Sequence, residues 1–400
     1  MSFVAWLDHS TEDERRVREM IRLFDQPETQ DALGFGQVRD AYGDLLFPGT
    51  STLHTRAKYL LFIPWCSIAA ARRMSDPTRL EWLSQVNERR LIRTLGTLPK
   101  HDGLIGSRAG LSVRNLPSAS YATALERWHI AEATIGQAVS PDEDGEPAST
   151  SASNGWHRRL PPPPAGFPEQ APGGFDLTLA EAEYLRERLL STEVERPSVL
   201  SYLADRLGPR IEAPNLWDEP SLAGAPSVLR DDVLLARTFS AISHGANLLY
   251  NLLIARAYEA HDYTSVAAPV EGYETALTKW AETLADLGQS WPTWGEVRLR
   301  AADQNPRVLL NSTLDQFAET WFALVEAHGP YAVWRLDEAY DLVRRRELSV
   351  KRLQSRLTNT TMLARWGGSS GAGAFEFRWP QVRRLLNDLG DGLRSVSAVA

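Results

Sequence analysis

The stretch Arg230 to Ala260 is the longest and most apolar helical pattern in the sequence. Leu234, Phe239, Ile242, Leu248, Leu249, Leu252 and Leu253 fall on every side of it, and a helix that is apolar all round must run through a core. Other helices therefore have to wrap around this one. Yet Arg237, Ser240, His244, Asn247 and Asn251 recur at steps of three and four, which draws a polar stripe along one side. A buried polar group without a partner costs about 1–3 kcal/mol. The stripe thus predicts a hydrogen-bonded seam against a neighbouring segment, and a ligand pocket centred on His244 is the other reading these residues allow. One histidine without a carboxylate at helical spacing does not make an acid–base pair.

The chain of 400 residues exceeds one ordinary core. Its periodicities predict a mainly α fold of two helical lobes, with few short strands. Thr11 and Glu14 form a capping box ahead of Val17, Met20, Ile21 and Phe24, and Pro27 closes that helix. Further helices are expected near Val38–Leu46 and Pro77–Leu98, and another opens at Thr178 with Glu181 as its capping box. Tyr59 to Ile63 is apolar on every side, with Thr50, Ser51 and Thr52 as candidate caps before it and Pro64 as a breaker after it. Leu104–Gly110 and Ser118–Ile130 form a helix-turn-helix candidate in which Tyr121, Thr123 and Arg127 would face a groove. Between the lobes, Gly136 to Asp176 holds Asp142, Glu143, Asp144 and Glu146, a Ser/Thr tract and the tetraproline Pro161–Pro164. That composition predicts a mobile or extended tether. The lobes are then 1–136 and 174–400, with 137–173 between them.

A formal net charge of −8 argues against wholesale coating of a nucleic acid, but the cations are unevenly placed. From Thr50 to Arg114 eleven Lys/Arg stand against four Asp/Glu, a balance of +7. From Arg344 to Arg384 ten stand against two, a balance of +8. Arg56 and Lys58 follow the candidate caps, where helix N–H groups and cations together can hold an anion. Arg365, Trp366, Arg378, Trp379, Arg383 and Arg384 flank the glycine loop Gly367–Gly373, and cations interleaved with aromatics suit single-stranded nucleic acid. With Arg127 these are the nucleic-acid candidates. The alternative is intramolecular: the same cations could dock on the acidic remainder of the chain.

Several chemistries lack their signatures. There is no phosphate-binding Gly-x4-Gly-Lys-Ser/Thr loop and no His-Glu-x-x-His zinc motif. Cys66, the only cysteine, excludes an internal disulfide and a multi-cysteine zinc site, and its apolar flank predicts a buried thiol. The Gly367-x-Ser369-x-Gly371 spacing matches a nucleophile elbow, but it lacks the strand before and the helix directly after that such an elbow needs. No run is long and apolar enough to span a membrane, and the N-terminus has no signal-peptide character. No catalytic residue, metal ligand or cofactor is assigned.

The runs Leu33–Asp40, Leu46–Thr52, Arg56–Trp65, Ile105–Gly110, Leu116–Tyr121 with Arg127–Trp128, His244–Leu252, Arg365–Gly371 and Phe377–Arg383 together resemble a large bacterial family known only as a domain of unknown function. The resemblance spans nearly the whole chain and departs mainly after Gly136. It implies a cytoplasmic bacterial protein, encoded beside helicase and phospholipase-D-type nuclease genes in phage-defence loci, and it supplies no activity. The expectation is a non-catalytic subunit of an anti-phage defence complex that binds DNA or RNA, a helicase or nuclease partner, or both. The alternatives are an enzyme with a pocket at His244 and a purely structural scaffold.

Overall fold

The computed structural model describes residues 31–73, 76–107, 109–132, 155–191, 196–288 and 291–395. Among them are fourteen α-helices and no strand, and the fold is mainly α. In place of the few short strands expected, the described residues show an isolated antiparallel bridge between Ala131 and Trp156. The Thr11–Pro27 helix and the acidic part of the expected tether lie outside the described residues.

The chain groups into two compact units, each made of separate stretches: residues 1–42 with 231–377, and 43–230 with 378–400. This grouping does not follow the expected division at 137–173. Packing between segments far apart in sequence, rather than a composition change, decides which of them belong together.

In the first unit the Ser227–Ala260 helix is the central element from Asp231 onward. Phe239, Leu249, Tyr250 and Leu252 are completely buried. The helices Pro269–Ala285 and Ser312–His328 each set an indole against its backbone: Trp280 Nε1 donates to Ala241 O at 2.8 Å, and Trp321 Nε1 to Ile242 O at 2.8 Å. Gly245 permits this approach, because a Cβ there would lie 2.2 Å from Cζ2 of Trp280. Phe35, Phe239, Phe317, Phe375 and Phe377 close the end of this core as a group of edge-on and tilted rings.

In the second unit Tyr59–Ala71 is the buried helix, with every residue from Tyr59 to Cys66 shielded. Pro64 stays inside it instead of ending it, and packing on all sides holds the helix through the missing N–H. The helix starts at Tyr59, and Thr50 does not cap it: the Thr50 hydroxyl donates to Phe47 O at 2.7 Å within the preceding turn. The helices Pro77–Gly96, Pro117–Arg127, Leu179–Leu190, Val199–Asp205 and Trp379–Arg394 complete the unit. Thr178 and Glu181 form the capping box their spacing indicates. Leu104 to Ser107 is non-helical, with only a 3-10 turn at Gly110–Ser112, so the first helix of the helix-turn-helix candidate is missing.

Residues 155–176, the described part of the expected tether, are packed. Phe167 and Phe175 lie against Phe62 at centroid distances of 6.0 and 5.9 Å, and Trp65 Nε1 donates to Pro161 O at 2.7 Å. Two buried aromatics and a bonded carbonyl offset the ordering entropy that proline- and serine-rich composition alone would leave uncompensated.

Candidate functional site

The polar stripe of the central helix meets the glycine loop. Ser240 Oγ donates to Phe375 O at 2.9 Å and accepts from Phe375 N at 3.0 Å. Asn251 accepts from Ser370 N at 2.8 Å and donates to Ser370 O at 3.0 Å, so both backbone groups of that serine are satisfied by one amide. His244 bonds the backbone of Ala372, and burial lowers its pKa to about 4, with the Ala372 bond acting the other way. The imidazole is neutral at pH 7. Arg237 and the Asn247 side chain belong to the stripe but make no bond to the loop.

Two more groups hold the loop from its other sides. Tyr273 OH donates to Gly368 O at 2.6 Å, where Gly368 takes the left-handed φ of 100° that the turn requires. Arg356 donates to the Ser370 hydroxyl. Arg356 is itself placed by Glu347, a fully buried carboxylate that accepts from Arg356 N at 2.9 Å and from the Ser355 hydroxyl. Ser369 and Ser370 are buried in this arrangement. Trp366, just before the loop, packs against Tyr258 and Tyr273 at 5.4 and 6.1 Å and has no open face for a base.

The cationic candidates of the second unit turn inward. Arg56 Nε donates to both oxygens of Asp388 at 3.2 and 3.0 Å, and Ala57 N donates to the same carboxylate at 2.9 Å. A backbone N–H beside an arginine just ahead of a helix start is the anion site read from the sequence, and here its anion is Asp388. Burial raises the Asp388 pKa, while Arg56 and the Ala57 N–H oppose the shift. Lys58 is 3% exposed; its ammonium donates to Asp176 O at 2.6 Å and pairs with Glu181 at 3.1 Å. Arg378 donates to Asp44 and to Thr50 O, each at 2.7 Å. Arg383 donates to Ala213 O at 2.8 Å, and so does the buried indole of Trp379 at 3.0 Å.

Tyr121 does not face a groove either. Its hydroxyl accepts from Thr55 N at 2.8 Å and from Arg56 N at 3.1 Å, and donates to Arg56 O at 2.9 Å. His54 stacks on the Tyr121 ring at 4.1 Å, its Nε2–H donating to Ser120 O at 3.0 Å. Burial, with Arg378 nearby, lowers the His54 pKa to about 4. Of the nine nucleic-acid candidates, Arg127, Arg365 and Arg384 remain exposed. Sequence reading did not single out Asp388 or Glu347, and it read Glu181 only as a helix cap, not as the partner of Lys58. Arg56 and Asp388 are 332 residues apart, and no local pattern marks such a pair.

Among the described residues no three of His, Cys, Asp and Glu gather as a metal-ligand set, and no helix is long and apolar enough to cross a membrane. The protein is thus a mainly α molecule whose conspicuous polar residues brace its own loops. The chain belongs to the family of unknown function DUF6361, whose model matches residues 1–393. Comparison with curated proteins and with solved structures returns no match.

Proposed function

We propose that the protein is a non-catalytic binding subunit of a bacterial anti-phage defence complex, engaging a nucleic acid, a helicase or nuclease partner, or both. The observation that carries this reading is the commitment of its chemistry-bearing side chains to internal bonds. His244, Ser240 and Asn251 hold the glycine loop. Arg56, Lys58 and Arg378 have carboxylate partners within the protein. Groups held this way position surfaces well and are poorly placed to exchange protons with a substrate. The family resemblance supplies the defence setting.

The test is co-expression with the genes that neighbour this one, followed by affinity capture and a plaque assay. A stable complex, and loss of protection when this subunit is deleted, support the reading. Turnover of nucleic acid or nucleotide by the purified protein alone would overturn it.

A further inference from the structure

The Pro77–Gly96 helix packs one side into the second unit, with Asn87, Glu88, Leu91, Ile92 and Leu95 buried. At about 100° per residue, Arg79, Trp82, Val86, Arg89, Arg90 and Arg93 share the opposite side, at steps of three and four. Arg79, Trp82 and Arg93 are exposed, and Arg89 and Arg90 are half-buried. No carboxylate of the helix falls on this side, because Glu81 and Glu88 project more than a quarter-turn away. Glu169, from the packed segment beyond, reaches Arg90 at 3.4 Å, but both side chains are open to solvent and such a pair holds weakly.

Trp82 is 63% exposed, whereas Trp65, Trp128, Trp321, Trp366 and Trp379 are almost completely buried. Leaving a large apolar side chain in water forgoes about 1.5–3 kcal/mol of burial. Here that side chain stands among four arginines: Arg89 donates to Gln85 O at 3.2 Å and Arg90 meets Glu169, while Arg79 and Arg93 have no carboxylate partner among the described residues. Arg79 and Arg93 lie fourteen residues apart, roughly 21 Å along the helix axis, so the row spans several phosphates.

We propose that this face binds single-stranded nucleic acid, Trp82 stacking on an unpaired base while Arg79, Arg90 and Arg93 hold the phosphates to either side. Charge complementarity selects a polyanion, and an isolated exposed indole selects a strand whose bases are free to stack. The assignment rests on the binding role proposed above and gives it a surface. It also replaces Trp366 and Trp379, whose rings are buried, with an indole that a base can reach.

The test is a titration of the full chain with labelled single-stranded DNA, single-stranded RNA and duplex DNA at two salt concentrations. Wild type is compared with Trp82→Ala, with Arg79→Ala/Arg93→Ala, and with Arg127→Ala/Arg384→Ala, which alters exposed cations on other helices. The single strands should bind more tightly than the duplex. Trp82→Ala should weaken them by roughly five- to hundredfold. The Arg79/Arg93 pair should flatten the salt slope by about 0.7 for each phosphate no longer neutralised, and the Arg127/Arg384 pair should bind as wild type. All three lie on the surface, and unchanged thermal unfolding confirms that each is folded. Wild type failing to bind either single strand, or the helix variants binding as wild type does, overturns the proposal. If the complex with neighbouring gene products still forms in that event, the binding-subunit reading stands without this surface. If the helix variants instead lose a protein partner and wild type holds no nucleic acid, the face is a protein interface and the proposal is equally overturned.

Discussion

Replacing Asn251 with alanine separates a structural seam from a ligand pocket. The native amide bonds Ser370 N at 2.8 Å, Ser370 O at 3.0 Å and Asn247 O at 2.8 Å. The Asn247 carbonyl lies within the helix and can keep a partner there. The Ser370 N–H and C=O have no such reserve, because Ser370 is fully buried. Two orphaned backbone groups at about 1–3 kcal/mol each give an expected loss of about 2–6 kcal/mol, a large share of the roughly 5–15 kcal/mol that holds a typical domain. The effect should be local as well as global. Amide hydrogen exchange across 368–373 should accelerate in the variant before that of the Ser227–Ala260 helix does, since the loop loses its clamp while the helix keeps its ladder. The assay is denaturant unfolding followed by tryptophan fluorescence, with exchange measured on the native protein. A loss under about 0.5 kcal/mol, within the range of ordinary surface substitutions, together with unchanged loop exchange, would refute the reasoning. Full stability with lost phage protection would assign the stripe to a ligand.

Gly245→Ala should destabilise, against the roughly 1 kcal/mol gain that helix propensity predicts for such a change, because its Cβ meets the Trp280 ring at 2.2 Å; thermal unfolding gives the sign. Asp388→Ala should lower stability by about 3–5 kcal/mol, since it leaves Arg56 partly buried without its carboxylate, and Asp388→Asn should recover part of the loss in the same unfolding assay. His54 has a folded pKa of about 4, below its ordinary value of about 6.5, so between those pH values the unfolded chain binds the extra proton. Stability is therefore complete above about pH 6.5 and falls by up to ~1.4 kcal/mol per unit towards pH 4. Burial raises the Glu88 and Asp388 pKa values and acts with the opposite sign, so the measurement is the difference between wild type and His54→Gln across that window. Limited proteolysis should cut within the acidic, serine-rich stretch 137–154, as its composition suggests, and spare 155–176; early cleavage beside Phe167 would contradict the packing of that segment.

What the sequence made legible was whatever a single helical turn can encode. The all-round apolarity of Tyr59 to Ile63, the capping box at Thr178 and Glu181, and the polar stripe within an apolar helix each need only residues three or four apart. The cap expected at Thr50 failed because a hydroxyl can equally bond back into its own turn, as it does to Phe47 O. The packed part of the tether was misread because Phe167 and Phe175 find Phe62 about a hundred residues away, and composition carries no sign of that. The stripe's partner was hidden for the same reason: Ser240 and Phe375 are 135 residues apart.

The arginines show the same limit most fully. A run of cations reads identically whether it faces phosphates or its own carboxylates, and only the partner decides. Arg56, Arg378 and Arg383 stand near conspicuous turns and tryptophans, which drew them together as candidates, and each proved to be bonded within the protein. The row from Arg79 to Arg93 lies in a plain helix with no motif around it. Its signal was nevertheless present in the periodicity: cations and one tryptophan at i, i+3, i+10, i+11 and i+14, with both glutamates off that side. Such a row marks a solvent-facing side, and a tryptophan left there is the departure from expectation. In an acidic protein, exposed cations held by no more than a weak surface pair are the ones left for a partner to meet. On that reasoning the search for this protein's ligand starts at Trp82 rather than at the glycine loop.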